Sequence, residues 1–577
     1  MRDPMAGFRA EVDRLLAAAA RSLRVEAPWP TLEAPPDPAM GDLGLPCFPL
    51  AKALRKPPAA IALDVACAVP QEGRTWVARV TAEGPYVNFA VDRAKLADLV
   101  LSDPHAAVTA PPGGRRVLLE HTSANPNGPL HVGRARNPIV GDTLARLHRA
   151  AGHDVEVQYY MDNLGRQVAT LSWGKWNLDP ARLPPPGRPK VDHDLVRYYQ
   201  AAHDLAKADP AVAAQVKHLV EQLESAEPGL LARVREVYGA CFEGMLASLH
   251  RLGVRYDSVK DESDVVVDGS VARTIEALTR LPAAGVEPDG ANYLDLSALL
   301  KGQKDKFFFT RRDGTSVYAT RDIAYHAWKA QRVGDGELID VLGEDHRLQA
   351  LQVGAALDAL GVKRPHVVFY AFVSLPEGKM STRANRVVFL DDLLDEAAGR
   401  AYEAVRLRRG GELPEERLRA IAEAVGVAAV RFNIARIQPE KPIEFRWEEA
   451  LDFEGDSAPY LMYAHARASS LVARCLEARI EPSHARARPG PGEQRLAWTL
   501  ARLQPAVQEA VAKAAPHRFA AYALELAGAF NEYYRDHRVL ECEDKAVQAM
   551  RLSACMAART GLRKALETLG LPPLEEM

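Results

Sequence analysis

Long apolar runs are missing from this chain. No segment approaches the roughly 18 apolar residues of a membrane span, so no membrane partner is expected. Cysteine is scarce and scattered: Cys47, Cys67, Cys241, Cys475, Cys542 and Cys555 never form the close pairs that zinc or thioredoxin-like chemistry needs. No structural metal is expected, and free thiols suit a reducing cytoplasm. Neither sign of charge dominates, since 73 Lys and Arg face 76 Asp and Glu; any polyanionic partner must meet a local patch. The first twenty residues carry Asp3, Arg9, Glu11, Asp13 and Arg14 among alanines, unlike the unbroken apolar core of a signal peptide.

What is present fills 577 residues, room for roughly three or four domains. Periodicity predicts a helix from Phe8 to Arg24, then strands in Trp76–Val80 and Tyr86–Phe89, a small α+β unit. The Pro- and Gly-rich Thr109–Gly114 closes it off, giving a first domain over 1–110. Next comes a βαβ pattern. The apolar run Val117-Leu118-Leu119 is followed by Val140, Leu144, Leu147 and Ala151 at helical spacing, a stop at Gly152, and alternation over Val155–Tyr159. A second half of the same kind of sheet reads from Leu338–Leu342, a helix over Leu348–Leu360, and Val367–Tyr370. The fold class expected is therefore multidomain α/β plus all-α: a Rossmann-type parallel-sheet domain over 111–395, interrupted by an insertion at about 170–310. Within that insertion Asn177–Asp192 is Pro-rich and reads as loop, and Leu195–Leu252 reads as helical. Amphipathic stretches such as Leu418–Val430, Pro459–Leu476 and Phe519–Tyr534 predict a helical bundle over 396–577.

Two segments carry nucleotide chemistry. Pro129-Leu130-His131-Val132-Gly133-Arg134 lies between a strand and a helix, where a small residue at 133 lets backbone approach a phosphate. Far downstream, Lys379-Met380-Ser381-Thr382-Arg383 follows Pro376-Glu377-Gly378, and a lysine ammonium there can follow a leaving pyrophosphate. Asn137-Pro138 reads either as an N-cap with the first helical residue or as a kink in a helix begun at Gly133.

Together these segments resemble the HIGH and KMSKS elements of class I aminoacyl-tRNA synthetases. Glu120, Asn125, Pro126, Gly128, Arg136, Asn137, Gly141 and Asp142 stand where the arginyl-tRNA synthetase family has similar residues. Arg134 departs from the histidine usual at the end of HIGH, and Asn163 from a usual aspartate; Asn163 is read as structural. The resemblance implies catalytic roles for His131, Lys379, Ser381 and Arg134, with Pro129, Gly133 and Met380 joining them in ATP binding. Asp313–Asp322 resembles a stretch particular to that family, which implies that Tyr318 and Asp322 contact a guanidinium, with Glu262 as a second carboxylate. Glu120, Asn125 and Gln352 match positions that hold the amino acid's ammonium and carboxylate end. Gly84–Phe89 is similar to the family's tRNA-elbow domain, and Tyr460–Arg467 with the closing Leu574–Met577 to its anticodon-binding bundle. The implied activity is arginine–tRNA ligase, with ATP, its Mg2+, L-arginine and tRNA(Arg) as partners, and a cytoplasmic monomer is expected. Two alternatives are a paralogue that delivers arginine to a non-tRNA acceptor and an inactive tRNA-binding protein.

Overall fold

The structure is a computed structural model that describes all residues except 1–3, 26–27, 34, 36, 38, 298–305 and 375–387. Lys379, Met380 and Ser381 therefore lie outside the described residues. At the centre is a five-stranded parallel sheet of β1 (Arg116–Glu120), β2 (Asp154–Met161), β3 (Ser258–Asp261), β4 (Glu337–Gly343) and β5 (His366–Tyr370), ordered β5-β4-β1-β2-β3. Val117, Leu118 and Leu119 are all buried, as expected of a central parallel strand covered on both faces. The chain reverses its direction of travel across the sheet between β1 and β4, and the crevice outside their carboxyl ends is where such sheets bind ligands.

Helix α1 (Arg136–Ala150) follows β1, α2 (Tyr318–Val333) precedes β4, and α3 (Arg347–Ala359) joins β4 to β5. Pro138 falls in the first turn of α1, where a missing N–H costs nothing, so it neither kinks the helix nor follows an Asn137 cap. Gly141, one turn on, lets the buried His121 imidazole lie directly on the helix; a Cβ there would stand 2.3 Å from the ring. Gly141→Ala should therefore destabilise by about 1–3 kcal/mol of overpacking, outweighing the better helix propensity of alanine. A lower melting temperature checks this, and a rise would mean that the ring moves freely.

The stretch read as an insertion is less separate than its letters suggest, because it contains β3. That four-residue strand pairs with β2 through Gln158 opposite Ser258 and Met161 opposite Asp261. With only one apolar residue, Ser258-Val259-Lys260-Asp261 carries no alternation to recognise. Around it stand the helices Val191–Ala208, Pro210–Glu224 and Pro228–Arg251, the second and third opened by a proline at the first helical position. The N-terminal unit has helix Pro4–Leu23 and an antiparallel sheet whose central strand Tyr86–Val91 pairs with Leu43–Pro46 and Val77–Glu83. Its apolar core runs on into the C-terminal helices. Arg93 stacks 3.7 Å over Trp498, and Gln504 Nε2 donates to the Val108 carbonyl at 2.8 Å.

The helical portion holds Glu415–Ala435, Ala458–Glu477, Pro516–Asp536 and the final Lys545–Leu569. It is locked to α1 by a buried charge. Arg431, 1 % exposed, donates to Asp142 Oδ2 at 2.6 Å, to the Leu252 carbonyl at 2.8 Å and to the Leu569 carbonyl at 3.3 Å. Gly570, at φ 72°, turns the chain away so closely that a Cβ would stand 2.1 Å from that guanidinium.

Candidate active site

The crevice is built from the ends of strands. Glu120 closes β1, and in the parallel register it faces Asp340 of β4. Lys329, fully buried on α2, donates to Glu120 Oε2 at 2.8 Å and to Asp340 Oδ1 at 2.7 Å. Two turns of α2 start at the pocket: Tyr318 is its first residue and Asp322 lies in the second turn, too far in to cap the helix. His326 then lies 2.7 Å from Asp340 Oδ2 through Nε2 and 3.2 Å from Asp322 Oδ1 through Nδ1. Burial and the Lys329 ammonium oppose its charge, yet Asp322 and Asp340 outweigh them and push the imidazole up to about 10.

After β1 the backbone takes a strained turn. Thr122 and Ser123 both have positive φ, 72° and 43°, costly for residues with a Cβ and most of all for a β-branched one. Three bonds fix it. Thr122 N–H donates to Asn137 Oδ1 at 2.6 Å, the Tyr256 hydroxyl lies 2.7 Å from Thr122 Oγ1, and Ser123 Oγ donates to Glu120 Oε1 at 2.9 Å. Asn137 Nδ2 meanwhile donates to the Val341 carbonyl at 3.0 Å, so one side chain of α1 clamps this turn to β4.

Glu120, Asn125, Arg134, Tyr318 and Asp322 line one pocket. His131, Pro129 and Gly133 line an adjoining recess that shares Asn125, Arg134 and Phe372 with it. His131 Nδ1 accepts from the Gly133 N–H at 2.9 Å. Partial burial, and then Arg134, hold its pKa below the usual value, so the ring is neutral with Nε2–H as its donor. Main chain ties that turn to the far side of the segment carrying Lys379: Val132 N–H donates to the Val388 carbonyl at 3.0 Å, and Leu390 N–H to the Leu130 carbonyl at 2.7 Å.

Comparison with known proteins decides the family. The model described as "tRNA synthetases class I (R), catalytic domain" matches residues 96–447, "Arginyl tRNA synthetase N terminal domain" matches 9–91, and "DALR anticodon binding domain" matches 461–577. The arginine–tRNA ligase of Methanocella arvoryzae is 46% identical over 92% of both chains, and that of Methanothermobacter thermautotrophicus 40% identical over 97% of this chain and 98% of its own. The Thermus thermophilus arginyl-tRNA synthetase structure superposes with a TM-score of 0.84 at 30% identity, covering 99% of this chain and 100% of that one. The chain belongs to the arginyl-tRNA synthetase family.

Two expected residues stand elsewhere than the family resemblance put them. Gln352 is not among the pocket's lining residues; Gln349, one turn earlier on α3, is. Glu262 is fully buried behind the wall, where Arg321 Nε donates to its Oε1 at 2.9 Å, so an internal guanidinium already occupies it. Burial, then the neighbouring Asp162, raises its pKa well above the usual range against the pull of Arg321. Asp162 lines the pocket instead. Asn163 is structural in geometry, since its amide bonds both Ser263 N–H at 2.9 Å and Ser263 Oγ at 2.8 Å.

Asp162, His326, Lys329 and Asp340 escaped the sequence reading because nothing in their spacing separates them from helix-face charges. Among the described residues, the ligand atoms of Asp192, His193 and Asp391 lie within 4.8 Å of one another, but Lys190 Nζ bonds Asp192 at 3.1 Å and Asp391 at 2.8 Å and fills the need for a cation. No helix among the described residues is long and apolar enough to cross a membrane. In the helical bundle a broad groove is lined by Arg408, Arg409, Tyr460, Tyr463 and Arg467, with Arg408 4.1 Å over Phe453 and Arg467 4.6 Å over Tyr463. The basic run Val405–Arg409 thus supplies three residues to this groove, Val405, Arg408 and Arg409, and Tyr463 is exposed.

Proposed function

We propose that this chain activates L-arginine with ATP and transfers it to the terminal adenosine of tRNA(Arg). The observation that carries the reading is the pocket of Asp162, Asp322, Glu120 and Tyr318 opening beside the recess of His131 and Gly133. A planar guanidinium suits acidic acceptors and a phenol, and the α-ammonium suits a second acidic end at Glu120 and Asn125. Arginine's carboxylate attacks the α-phosphorus of ATP, forming arginyl-adenylate as the bond to pyrophosphate breaks. The nucleophile is already ionised, so catalysis consists of positioning and charge stabilisation. His131 Nε2–H and the Arg134 guanidinium serve the phosphates, Pro129 and Gly133 let backbone approach them, and Mg2+ accompanies the ATP. A ribose hydroxyl of the tRNA, the 2′-hydroxyl for class I, then takes the arginyl group and releases AMP.

Lys379 is assigned to the leaving pyrophosphate, with Met380 and Ser381 completing that contact. The described residues on either side, Val373 and Phe389, both adjoin the His131 turn, which favours this assignment. Lys379→Ala is expected to lose turnover while substrate affinities are largely kept; the reverse pattern would move Lys379 into ground-state binding. Gln349 takes the role expected of Gln352, and Asp162 that of Glu262. The N-terminal unit over 1–110 is assigned to the tRNA elbow, and the arginine- and tyrosine-lined groove of the bundle to the anticodon, where bases can stack. The protein is read as a cytoplasmic monomer. Pyrophosphate exchange with each amino acid, with and without tRNA, followed by charging of purified tRNA, tests the whole reading. Exchange with a different amino acid would end it.

A further inference from the structure

One continuous chain of buried charged groups joins the two carboxylates assigned above to the two cationic ends of arginine. It begins at Asp322, whose carboxylate stands 3.2 Å from His326 Nδ1 and whose carbonyl is 2.7 Å from the same nitrogen. It passes from His326 Nε2 to Asp340 Oδ2 at 2.7 Å, and from Asp340 Oδ1 to Lys329 Nζ, also at 2.7 Å. It ends where Lys329 meets Glu120 Oε2 at 2.8 Å. Both oxygens of Asp340 are taken up by these internal cations, so its carboxylate is spent on structure. Asp322 and Asp340 both line the pocket, but Asp322 is 22% exposed and Asp340 only 4%.

The relay also fixes a distance. Asp340 faces Glu120 across a parallel strand pair, which sets one end rigidly. The other end is carried by a single turn of α2, Asp322 to His326, where among the described residues the imidazole ties the acidic side chain to β4 while Tyr325 holds the turn to Gln158 of β2. The other groups around the ring are Lys329 and Tyr325 on its own helix, Tyr325 lying 5.7 Å away, and Asp345 and His346 on the loop after β4, which line the same pocket. Counting this chain alone, Glu120, Asp322 and Asp340 face two cations, His326 and Lys329. One negative charge is left for a ligand to answer.

We propose that His326 is a positioning residue which, through Asp340 and Lys329, sets the spacing between Asp322 and Glu120 and thereby the length of guanidino amino acid the site accepts. This rests on the reading that those two carboxylates grip the substrate's two ends. A histidine that merely filled the core would affect folding, or both substrates alike. One that sets a spacing affects the match between the pocket and the length of the amino acid.

The test compares wild type and His326→Gln in pyrophosphate exchange, using arginine, the analogue one methylene shorter and the homologue one methylene longer. His326→Gln should raise the arginine KM by about ten- to a hundredfold, leave the ATP KM nearly unchanged, and shrink the preference for arginine over both analogues. Equal rises in the arginine and ATP KM values, or an unaltered preference among the three lengths, would overturn the proposal. If that variant fails to fold, Asp340→Asn is read in the same way. The wild type alone gives a further check: its arginine KM should stay level between about pH 6 and 8, where an unperturbed histidine would titrate. A KM that climbs through that window would also overturn the assignment. Wild type that prefers another amino acid defeats the reading of the site itself; wild type that prefers arginine, with variants that behave like it, defeats only the role of His326.

Discussion

Asp322→Asn should weaken arginine binding by about 2–5 kcal/mol, a loss in the range seen when one partner of a desolvated charge pair is removed. The amide keeps the size of the carboxylate, so the change isolates charge. It also turns an N–H toward a ligand that has only N–H groups to offer, leaving donors facing donors. His326 loses its carboxylate contact at the same time, although its bond to the Asp322 carbonyl survives. The arginine KM in pyrophosphate exchange should rise by two orders of magnitude or thereabouts, with the ATP KM nearly unmoved because His131 and Gly133 line the neighbouring recess. An unchanged arginine KM would remove Asp322 from the site.

Arg431→Met is expected to cost about 3 kcal/mol of stability, because the buried Asp142 carboxylate loses one of its two guanidinium partners. Asp142, 2 % exposed, would keep Arg146 at 2.7 Å but lose Arg431 at 2.6 Å. The carbonyls of Leu252 and Leu569 would lose a donor together. The double variant Asp142→Asn with Arg431→Met should be less destabilised than the two single changes summed, since Asp142→Asn strands the buried Arg431 charge and the double variant removes it. Denaturant unfolding of the four proteins measures this. Strict additivity would show that the pair is not coupled.

The fold was legible where hydrophobic pattern was strong. Val117–Leu119, Val155–Tyr159, Leu338–Leu342 and Val367–Tyr370 announced four of the five parallel strands, and the helix over Leu348–Leu360 differs by one residue at each end from α3. Ser258–Asp261 was hidden because an edge strand of four residues buries only Asp261, and Leu43–Pro46 because a proline closes it. Short sequence motifs named Glu120 and Asp322, which line the pocket, and His131, which lines the adjoining recess, without disclosing what stands behind them. Asp340 and Lys329 lie 11 residues apart in the chain, on β4 and on the helix α2 before it, and the αβ turn between them folds one back onto the other. Glu262 misled because its carboxylate type was right while its neighbour Arg321 had already claimed it.

Two main-chain hydrogen bonds, amide to carbonyl, join Val388 and Leu390 to the turn of Leu130–Val132, beside the packing of their side chains. Every residue type but proline brings that same pair of groups, so this clasp is indifferent to spelling. Replacements on either side of it, such as the arginine at 134, leave those two hydrogen bonds intact.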